Sequence, residues 1–399
     1  MNQNSTKTNM NRRERLMATL RGEPVDRPAV SFYELNGLDE DYNDADAFNI
    51  YTDPSWRELI DLTRDHTDRI VMRTVPFIDG QIAAGSDRQF VGVPSDPLAG
   101  ISQEETTFDG NGSRIVTRTI KAGKRTLTSR TRHDKDVNTI WTLEHLLKDA
   151  DDLKALLELD FSKASGEPDV SVVLDAERAL GDAGIVMIDT PDPLCLAAAL
   201  FDMATYTMIA VLEPEMFHEL LTRFAAILHP ETETISKTLP GRLWRIYGPE
   251  YASPPYQSPR NFRDLVVKYD QPMVDSIQQH GGFVRIHSHG NLREIIDDIA
   301  SMGVDGLDPI EPPHQGDMEL IEVREKYGKQ LVLFGNLEAT DIENLPTDQF
   351  ARKIKTAIEQ GTAGVGRGFV LMPSACPYGR KLLPLALENY RKMVEMVNA

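Results

Sequence analysis

Two histidines stand two residues apart at the end of a short apolar stretch, Gly282-Phe-Val-Arg-Ile-His-Ser-His-Gly290. This pattern is typical of a β-strand, in which side chains two positions apart point to the same face. His287 and His289 would therefore project together from the carboxyl end of the strand. Two imidazoles at one place can bind a metal ion or an oxyanion. The alternative is that one histidine caps the next helix and the other is an ordinary surface residue, because short motifs also occur by chance.

A thiol far along the chain could join these imidazoles. A zinc site usually holds about four nitrogen, sulfur or oxygen ligands, and Cys376, which lies between Pro373 and Pro377, could add a sulfur to the two histidine nitrogens. Glu250 or Glu311 could complete the set, or a water or substrate molecule could. The alternative for Cys376 is a small buried apolar side chain, which is what a free cysteine usually is.

Carboxylates near the ends of other predicted strands offer acid–base chemistry. Glu250 lies in Gly248-Pro-Glu-Tyr-Ala-Ser-Pro-Pro-Tyr256, where the prolines would fix its backbone, and we interpret it as functional rather than as a surface carboxylate. Asp308 and Glu311 could act as general acid and base, with pKa values moved by burial and mutual repulsion. They could equally orient the histidines through hydrogen bonds.

The elements that would position these residues alternate regularly along the chain. Six strand-then-helix units run from residue 184 to residue 397, and two earlier strands bring the number of predicted strands to eight. Such alternation requires parallel strands with helices outside, and eight units predict an α/β fold, the (β/α)₈ TIM barrel. The predicted strands cover 29–33, 70–76, 184–189, 242–247, 283–287, 306–310, 330–334 and 368–372. A doubly wound open sheet is the alternative, but no Gly-x-Gly-x-x-Gly follows the first strand.

Active sites of such barrels lie at the carboxyl ends of the strands. Those ends would gather most of the acidic, aromatic and imidazole candidates on one rim. We predict that the rim binds substrate through Tyr33, Glu34, Asn36, Asp189, Tyr256 and Asn336.

Residues 88–141 depart from the alternation. Their β-branched segments and the turn signals Asp109-Gly-Asn-Gly and Ala122-Gly predict an antiparallel β-hairpin insertion that covers or flanks the pocket. The remainder of residues 1–399 would form a single barrel domain with extra N-terminal helices and a flexible stretch at residues 1–10.

Composition narrows the class of protein. With 41% hydrophobic and 26% charged residues the chain is globular, and its net charge of −19 disfavours nucleic acid and anionic membranes as partners. It has two cysteines, so a reducing compartment is expected, and Cys195 at an apolar helix start is predicted to be core. A polar N-terminus and the absence of an apolar run near ~18 residues indicate a cytoplasmic protein.

The order of motifs resembles the uroporphyrinogen decarboxylase superfamily. The resemblance covers nearly the whole chain and rests on Asn11-Arg-Arg-Glu-Arg-Leu with Asp26-Arg-Pro, Glu213-Pro-Glu, Gly248-Pro-Glu, His287-Ser-His-Gly, Gly303-Val-Asp-Gly, Gly335-Asn and the Pro-rich last loop. The decarboxylase branch of that superfamily carries other residues where this chain has Ser31-Phe-Tyr-Glu-Leu-Asn, Thr74-Val-Pro-Phe and Met372-Pro-Ser-Ala-Cys. None of the decarboxylase motifs is retained at these places.

The corrinoid-linked methyltransferase branch is more similar. The resemblance implies that His287 is the first zinc ligand, that His289 takes the place of a cysteine ligand, and that Cys376 lies near a second one. It implies transfer of a methyl group between a small methylated substrate and a corrinoid (cobalamin) on a partner protein. Zinc would act as a Lewis acid, while Tyr247, Glu250 and the Glu311 carboxylate position the substrate or move protons.

Other functions stay open at this point. A metal-independent carboxy-lyase could use the carboxylates and histidines on a small carboxylated substrate. A metal hydrolase is suggested by the His-x-His pair, although such enzymes need two more histidines and His314 alone follows. A non-enzymatic binding protein would also keep the pocket. Pairing of outer helices would make a homodimer possible.

Overall fold

The computed structural model describes residues 9–77, 96–160 and 167–399. Its main sheet has eight strands, and every ladder between them is parallel. They are β1 (Ala29–Val30), β2 (Arg69–Arg73), β7 (Gly184–Pro191), β8 (Leu243–Tyr247), β9 (Phe283–His287), β10 (Gly306–Asp308), β11 (Val332–Leu337) and β12 (Phe369–Pro373). The order in the sheet is β1-β12-β11-β10-β9-β8-β7-β2.

The two ends of this sheet meet through Asp68, in a contact that we call the Asp68 seam. The Asp68 backbone N–H donates to the Val30 carbonyl at 2.7 Å, and the Val30 N–H donates to Asp68 Oδ2 at 2.9 Å. Arg15 and Arg27 donate to the same carboxylate. The sheet therefore curves into a nearly closed barrel, which confirms the predicted TIM-barrel fold.

Fourteen α-helices occur among the described residues, and most of them lie outside the barrel. They are α1 (Arg12–Arg21), α2 (Arg57–His66), α3 (Ala150–Leu157), α4 (Ser171–Leu180), α5 (Pro193–Ala198), α6 (Met203–Leu212), α7 (Pro214–Thr238), α8 (Pro259–Phe262), α9 (Lys268–Gln279), α10 (Ile296–Ser301), α11 (Leu320–Tyr327), α12 (Ala339–Asn344), α13 (Thr347–Gly361) and α14 (Pro384–Asn398). No helix of the described ranges has both the length and the apolar character that crossing a membrane would require.

Residues at the two ends of helix α1 determine where it begins and ends. Asn11 and Glu14 form a reciprocal capping box at its start, and Gly22 ends it at a φ of 70°. Its buried Leu16 and Leu20 pack with apolar side chains that point from the strands into the barrel, such as Met187. The helix therefore helps to fill the end of the barrel opposite the site.

The predicted insertion is a four-stranded antiparallel sheet rather than one hairpin. Its strands are β3 (Ser102–Phe108), β4 (Arg114–Ala122), β5 (Arg125–His133) and β6 (Ile140–Glu144). Residues 88–95 of the prediction lie outside the described residues. Residues 140–144 pair with β5 as the last strand of the insertion, and α3 follows them. One face of the sheet buries Ile120 and Leu127 against the core.

The insertion reaches the barrel mouth through the turn between β5 and β6. The Asn138 N–H donates to the Tyr378 carbonyl and the Arg380 N–H donates to the Asp136 carbonyl, each at 2.7 Å. Val137 bridges to Gly379 in the same region. Because residues 378–380 follow β12, the insertion forms one side of the mouth.

Candidate functional site

A layer of buried ion pairs lies across the carboxyl end of the barrel. Arg245 of β8 donates to both oxygens of Asp189 at 2.6 and 3.0 Å, and Arg285 of β9 forms the same kind of pair with Asp308. All four side chains are less than a tenth exposed. Both arginines are therefore neutralised within the protein, which leaves neither of them as a free cation for an anionic substrate.

His287 is held against this layer. Its Nδ1 donates to Asp308 Oδ2 at 2.8 Å, and its ring stacks on Tyr33 with centroids 5.8 Å apart. The hydroxyl of Tyr33 accepts a hydrogen bond from Arg245. Burial disfavours the charged form of Asp308, but the charges of Arg285 and His287 outweigh it and hold the pKa of that carboxyl far below its usual range.

His289 forms a second pair one layer further out. Its Nδ1 is 2.8 Å from Glu311 Oε1, and Glu311 Oε2 accepts from the Gly290 N–H at 2.8 Å. Burial lowers the pKa of His289, but the hydrogen bond and charge of Glu311, with the charges of Glu250 and Asp308, raise it overall. The pKa of Glu311 is lowered, because its bonds to His289 and Gly290 outweigh its burial. The two imidazole rings stand edge to face with centroids 4.6 Å apart.

Three residues around the mouth have backbone conformations that residues other than glycine rarely adopt. Glu34 (φ 56°), Ile310 (φ 53°) and His314 (φ 105°) are the non-glycine residues of the described ranges with positive φ. Glu34 follows β1 and contacts Cys376. Ile310 and His314 follow β10, in the same loop as Glu311, the partner of His289. Such conformations cost on the order of 1–3 kcal/mol each and gather at functional sites.

A cleft of about 490 Å³ opens beside His289 and Glu311. The described residues that line it include no arginine or lysine, whereas Glu250 and Glu311 give it two carboxylates. Its lining residues are Met203, Glu250, Tyr251, Ser253, Pro254, Pro255, Tyr256, His289, Gly290, Asn291, Glu311 and Gln315. An acidic cleft with two tyrosines suits a neutral or cationic ligand better than an anionic one.

Cys376 lies on another side of the mouth. Its thiol donates to Glu34 Oε2 at 3.5 Å, and burial, together with the charge of Glu34, raises the pKa of the thiol well above its usual value. Among the described residues, no three His, Cys, Asp or Glu side chains are arranged to hold a metal ion. His287 and His289 each have a carboxylate on Nδ1, as metal ligands often do, but Cys376 does not join them. The residues as placed do not fit the predicted three-ligand zinc site, so zinc stays a prediction.

The remaining predicted site residues occupy four positions. Tyr33 and Asp189 belong to the buried layer, where Tyr247 also lies with its ring centroid 5.4 Å from the Arg245 guanidinium. Tyr256 is 47% exposed on the cleft. The Asn36 side chain accepts hydrogen bonds from the backbone N–H groups of residues 38 and 39 and therefore stabilises the turn in which it lies. Asn336 is half-buried in β11.

Glu338 and the two barrel arginines were not assigned from the sequence. Glu338 follows β11, is 6% exposed, and has one oxygen without a partner. Burial and the neighbouring Glu311 raise the pKa of Glu338 to about 7, so this carboxyl can give or take a proton near neutral pH. The signal that could have found Arg245 and Arg285 is a charged residue within an otherwise apolar parallel strand.

Known proteins resemble this chain in sequence and fold. The family model described as uroporphyrinogen decarboxylase (URO-D) matches residues 142–399. A methyltransferase from Methanosarcina mazei has a similar fold, with a TM-score of 0.59, 17% identity and 98% of each chain covered. A D-psicose 3-epimerase matches 61% of this chain and 82% of its own at 11% identity, but its TM-score of 0.29 supports no conclusion. No curated protein matches the sequence.

Proposed function

Because this chain belongs to the uroporphyrinogen decarboxylase (URO-D) family, we propose that it is an enzyme of the methyltransferase type. It would move a methyl group between a small, neutral or cationic methylated substrate and a corrinoid on a partner protein. The fold similarity to a methyltransferase along 98% of both chains is consistent with this role, although at 17% identity it concerns the fold.

The observation that carries the proposal is the charge of the cleft. Its lining carboxylates come from Glu250 and Glu311, while Arg245 and Arg285, which could have bound a carboxylated substrate, are paired with aspartates. A substrate with several carboxylates would meet repulsion here. A neutral methylated oxygen or sulfur leaves with an electron pair as an anion and needs a proton donor, which His289 would be, whereas a cationic donor leaves as a neutral group and needs none.

Each residue of the site has a role in this scheme. When bound, the corrinoid would supply the nucleophile that takes the methyl group. The bond between the methyl carbon and the heteroatom breaks with its electron pair on the heteroatom, which takes a proton from His289 Nε2. Glu311 accepts a hydrogen bond from Nδ1 and stabilises the protonated ring until that transfer. Tyr256 and Glu250 line the substrate's side of the cleft.

A carboxy-lyase that works without metal is the second candidate. It is favoured by Glu338, whose raised pKa would let it protonate a carbanion after loss of carbon dioxide. It is less well supported, because the described residues that line the cleft include no arginine that could bind a carboxylate.

Methyl transfer to free cob(I)alamin tests the proposal. The protein would be incubated with methylated phenols, thiols and amines, and formation of methylcobalamin followed by absorbance. We expect turnover with a neutral or cationic donor, and for a neutral donor a loss of about 10²–10⁴-fold in His289→Gln, as for removal of a general acid. Tyr378→Phe, which keeps the exposed ring outside the cleft, is the matched control. Release of carbon dioxide from carboxylated compounds without any methyl transfer would instead establish the lyase.

The zinc prediction has a separate test. Elemental analysis of the wild type, His289→Ala and Cys376→Ala would show about one zinc per chain in the wild type and none in either variant if the three-ligand site forms. Zinc that persists in Cys376→Ala would mean that the thiol stays with Glu34 and is not a ligand.

A further inference from the structure

Two buried aspartates lie behind the cleft, outside the site described above. Asp192 precedes α5 and Asp270 lies in α9, and both are completely buried. Asp192 Oδ1 accepts the Cys195 N–H, but Asp192 Oδ2 and both oxygens of Asp270 have no hydrogen-bond partner. Buried carboxylate oxygens without partners are rare in proteins and indicate a missing ligand, ion or water.

Neighbouring carboxylates add to the cost of burying Asp192 as an anion. The charged groups that act most strongly on Asp192 are Asp270 and Glu250, both acidic. Protonation alone does not satisfy these oxygens, because a proton shared between two of the three would still leave the third without a partner. A bound cation would neutralise both carboxylates and occupy the three free oxygens together.

We propose that Asp192 and Asp270 bind one divalent cation that prefers oxygen ligands, Ca²⁺ or Mg²⁺. Two carboxylates balance its charge, and water and backbone oxygens would complete its coordination. Helix α5 packs against residues 263–267, a π-helical segment that leads into α9. Segments of this kind often mark functional positions. The proposal does not depend on the methyltransferase function.

The cation would stabilise the segment that carries Glu250. The Asp192 N–H donates to the Tyr247 carbonyl at 2.8 Å, and a Cβ placed on Gly248 would lie 2.1 Å from Asp192 Oδ1. A ligand bound to Asp192 would therefore fix residues 247–250 against α5 and α9. The ion would shape the cleft without touching the substrate.

Thermal unfolding after removal of metal by a chelator tests this site. We expect millimolar Ca²⁺ or Mg²⁺ to raise the Tm of the wild type by several degrees relative to K⁺ at equal ionic strength, because a ligand of the folded state stabilises it. Asp270→Asn should lose this shift, whereas Asp264→Asn, at a half-exposed carboxylate on the neighbouring π-helical segment, should keep it. Elemental analysis of protein purified without chelator should find about one Ca or Mg per chain.

Two results would overturn the site. One is a wild-type Tm that responds equally to K⁺ and to the divalent ions. The other is an Asp270→Asn protein that keeps the full shift. If Asp270→Asn does not fold, Asp192→Asn serves the same comparison, because it removes the other ligand. A chelated Asp270→Asn protein that is more stable than the wild type, with no metal effect in either, would show that the carboxyls hold a proton and water instead.

Discussion

At the scale of single residues, the pairing of His289 with Glu311 requires both groups to be charged. The pKa of His289 is raised, so its contribution to stability is complete below about pH 6.5, the usual histidine value, and is lost as pH rises through the folded-state pKa. The pKa of Glu311 is lowered, so its contribution is complete above about pH 4.3 and is lost as pH falls through its own folded-state pKa. The pair is therefore fully formed between these limits.

Replacing Glu311 by Gln should lower the pKa of His289, because the burial that opposes its charge remains while the countercharge is gone. Titration of the His289 ring by NMR measures this change. Glu322→Gln, on an exposed carboxylate that pairs with Arg293, is the control and should leave the His289 titration unchanged. A His289 pKa that stays raised in Glu311→Gln would assign the effect to Glu250 and Asp308.

Breaking the buried ion pair of Arg285 and Asp308 should destabilise the protein more than breaking an exposed ion pair. Asp308→Asn leaves the Arg285 charge buried without a full countercharge, which should cost about 3–5 kcal/mol of unfolding free energy in urea. The exposed pair of Asp348 and Arg352, whose side chains are 74% and 69% exposed, is the comparison. Asp348→Asn should change stability by less than about 1 kcal/mol. Equal losses in both variants would contradict the buried-charge explanation.

At the scale of elements, the turn after β8 depends on the absence of a side chain. Gly248 has a φ of 127°, and a Cβ there would lie 2.1 Å from Asp192 Oδ1 and 2.6 Å from Cys195 Cβ. The turn can therefore approach α5 only with glycine at this position. This closeness determines where Glu250 stands in the cleft.

Gly248→Ala should therefore cost more than the strain of its backbone alone. We expect a loss of about 2–4 kcal/mol, the range for severe single substitutions, together with reduced binding in the cleft. Gly281→Ala is the control, because Gly281 also has a positive φ, 73°, but a Cβ there meets no atom within 4 Å. Urea unfolding of both variants separates the two causes. If Gly281→Ala loses as much, backbone strain is sufficient and the contact with Asp192 is unimportant.

Sequence patterns predicted which strands and helices form better than they predicted where those elements begin and end. The parallel strands were found because a buried strand is a short apolar run between turn signals. The apolar pattern of residues 194–212 is typical of one continuous helix, but the structure has α5 and α6 there, since residues 199–202 leave the helix and Asp202 caps the second one. Strand β10 ends at Asp308, and Pro309 after it has no N–H to continue the ladder. The strand at residues 140–144, which pairs with β5, escaped prediction because Leu143, Leu146 and Leu147 have the three- and four-residue spacing that is typical of a helix.

The same limit applies to the site. Because parallel strands end at one rim, the sequence alone could predict that His287, His289 and Glu311 come together. It could not predict which polar groups pair with each other, since those contacts depend on distances of a few ångströms between separate strands. Cys376 is an example: its thiol meets Glu34, which follows the first strand of the barrel, rather than the two histidines.

At the scale of the whole molecule, Arg380 joins three separate parts of the chain near the mouth. Its guanidinium donates to the carbonyls of Ala47 and Asn49, and to that of Lys135 in the insertion. The side chain thus connects the segment before α2, the antiparallel sheet and the loop after β12. This side chain therefore adds to the backbone contacts that hold the wall of the mouth to the barrel.

Arg380→Ala should loosen this wall while the barrel stays folded. Hydrogen exchange followed by mass spectrometry should become faster in residues 47–52 and 134–139, because their carbonyls lose a shared donor. Exchange in β9 and β11 should not change. Arg178→Ala, at an arginine that is 78% exposed, is the control. Unchanged exchange at the mouth in Arg380→Ala would mean that backbone contacts alone hold the insertion.

The Asp68 seam also affects how the chain can assemble on the ribosome. Strand β1 pairs in a ladder with β12, so its partner is synthesised long after β1 itself. Until then, the link between β1 and the sheet is the Asp68 contact, whose residues leave the exit tunnel soon after β1. A nascent chain therefore has an early anchor for β1, and completion of the barrel waits for β12.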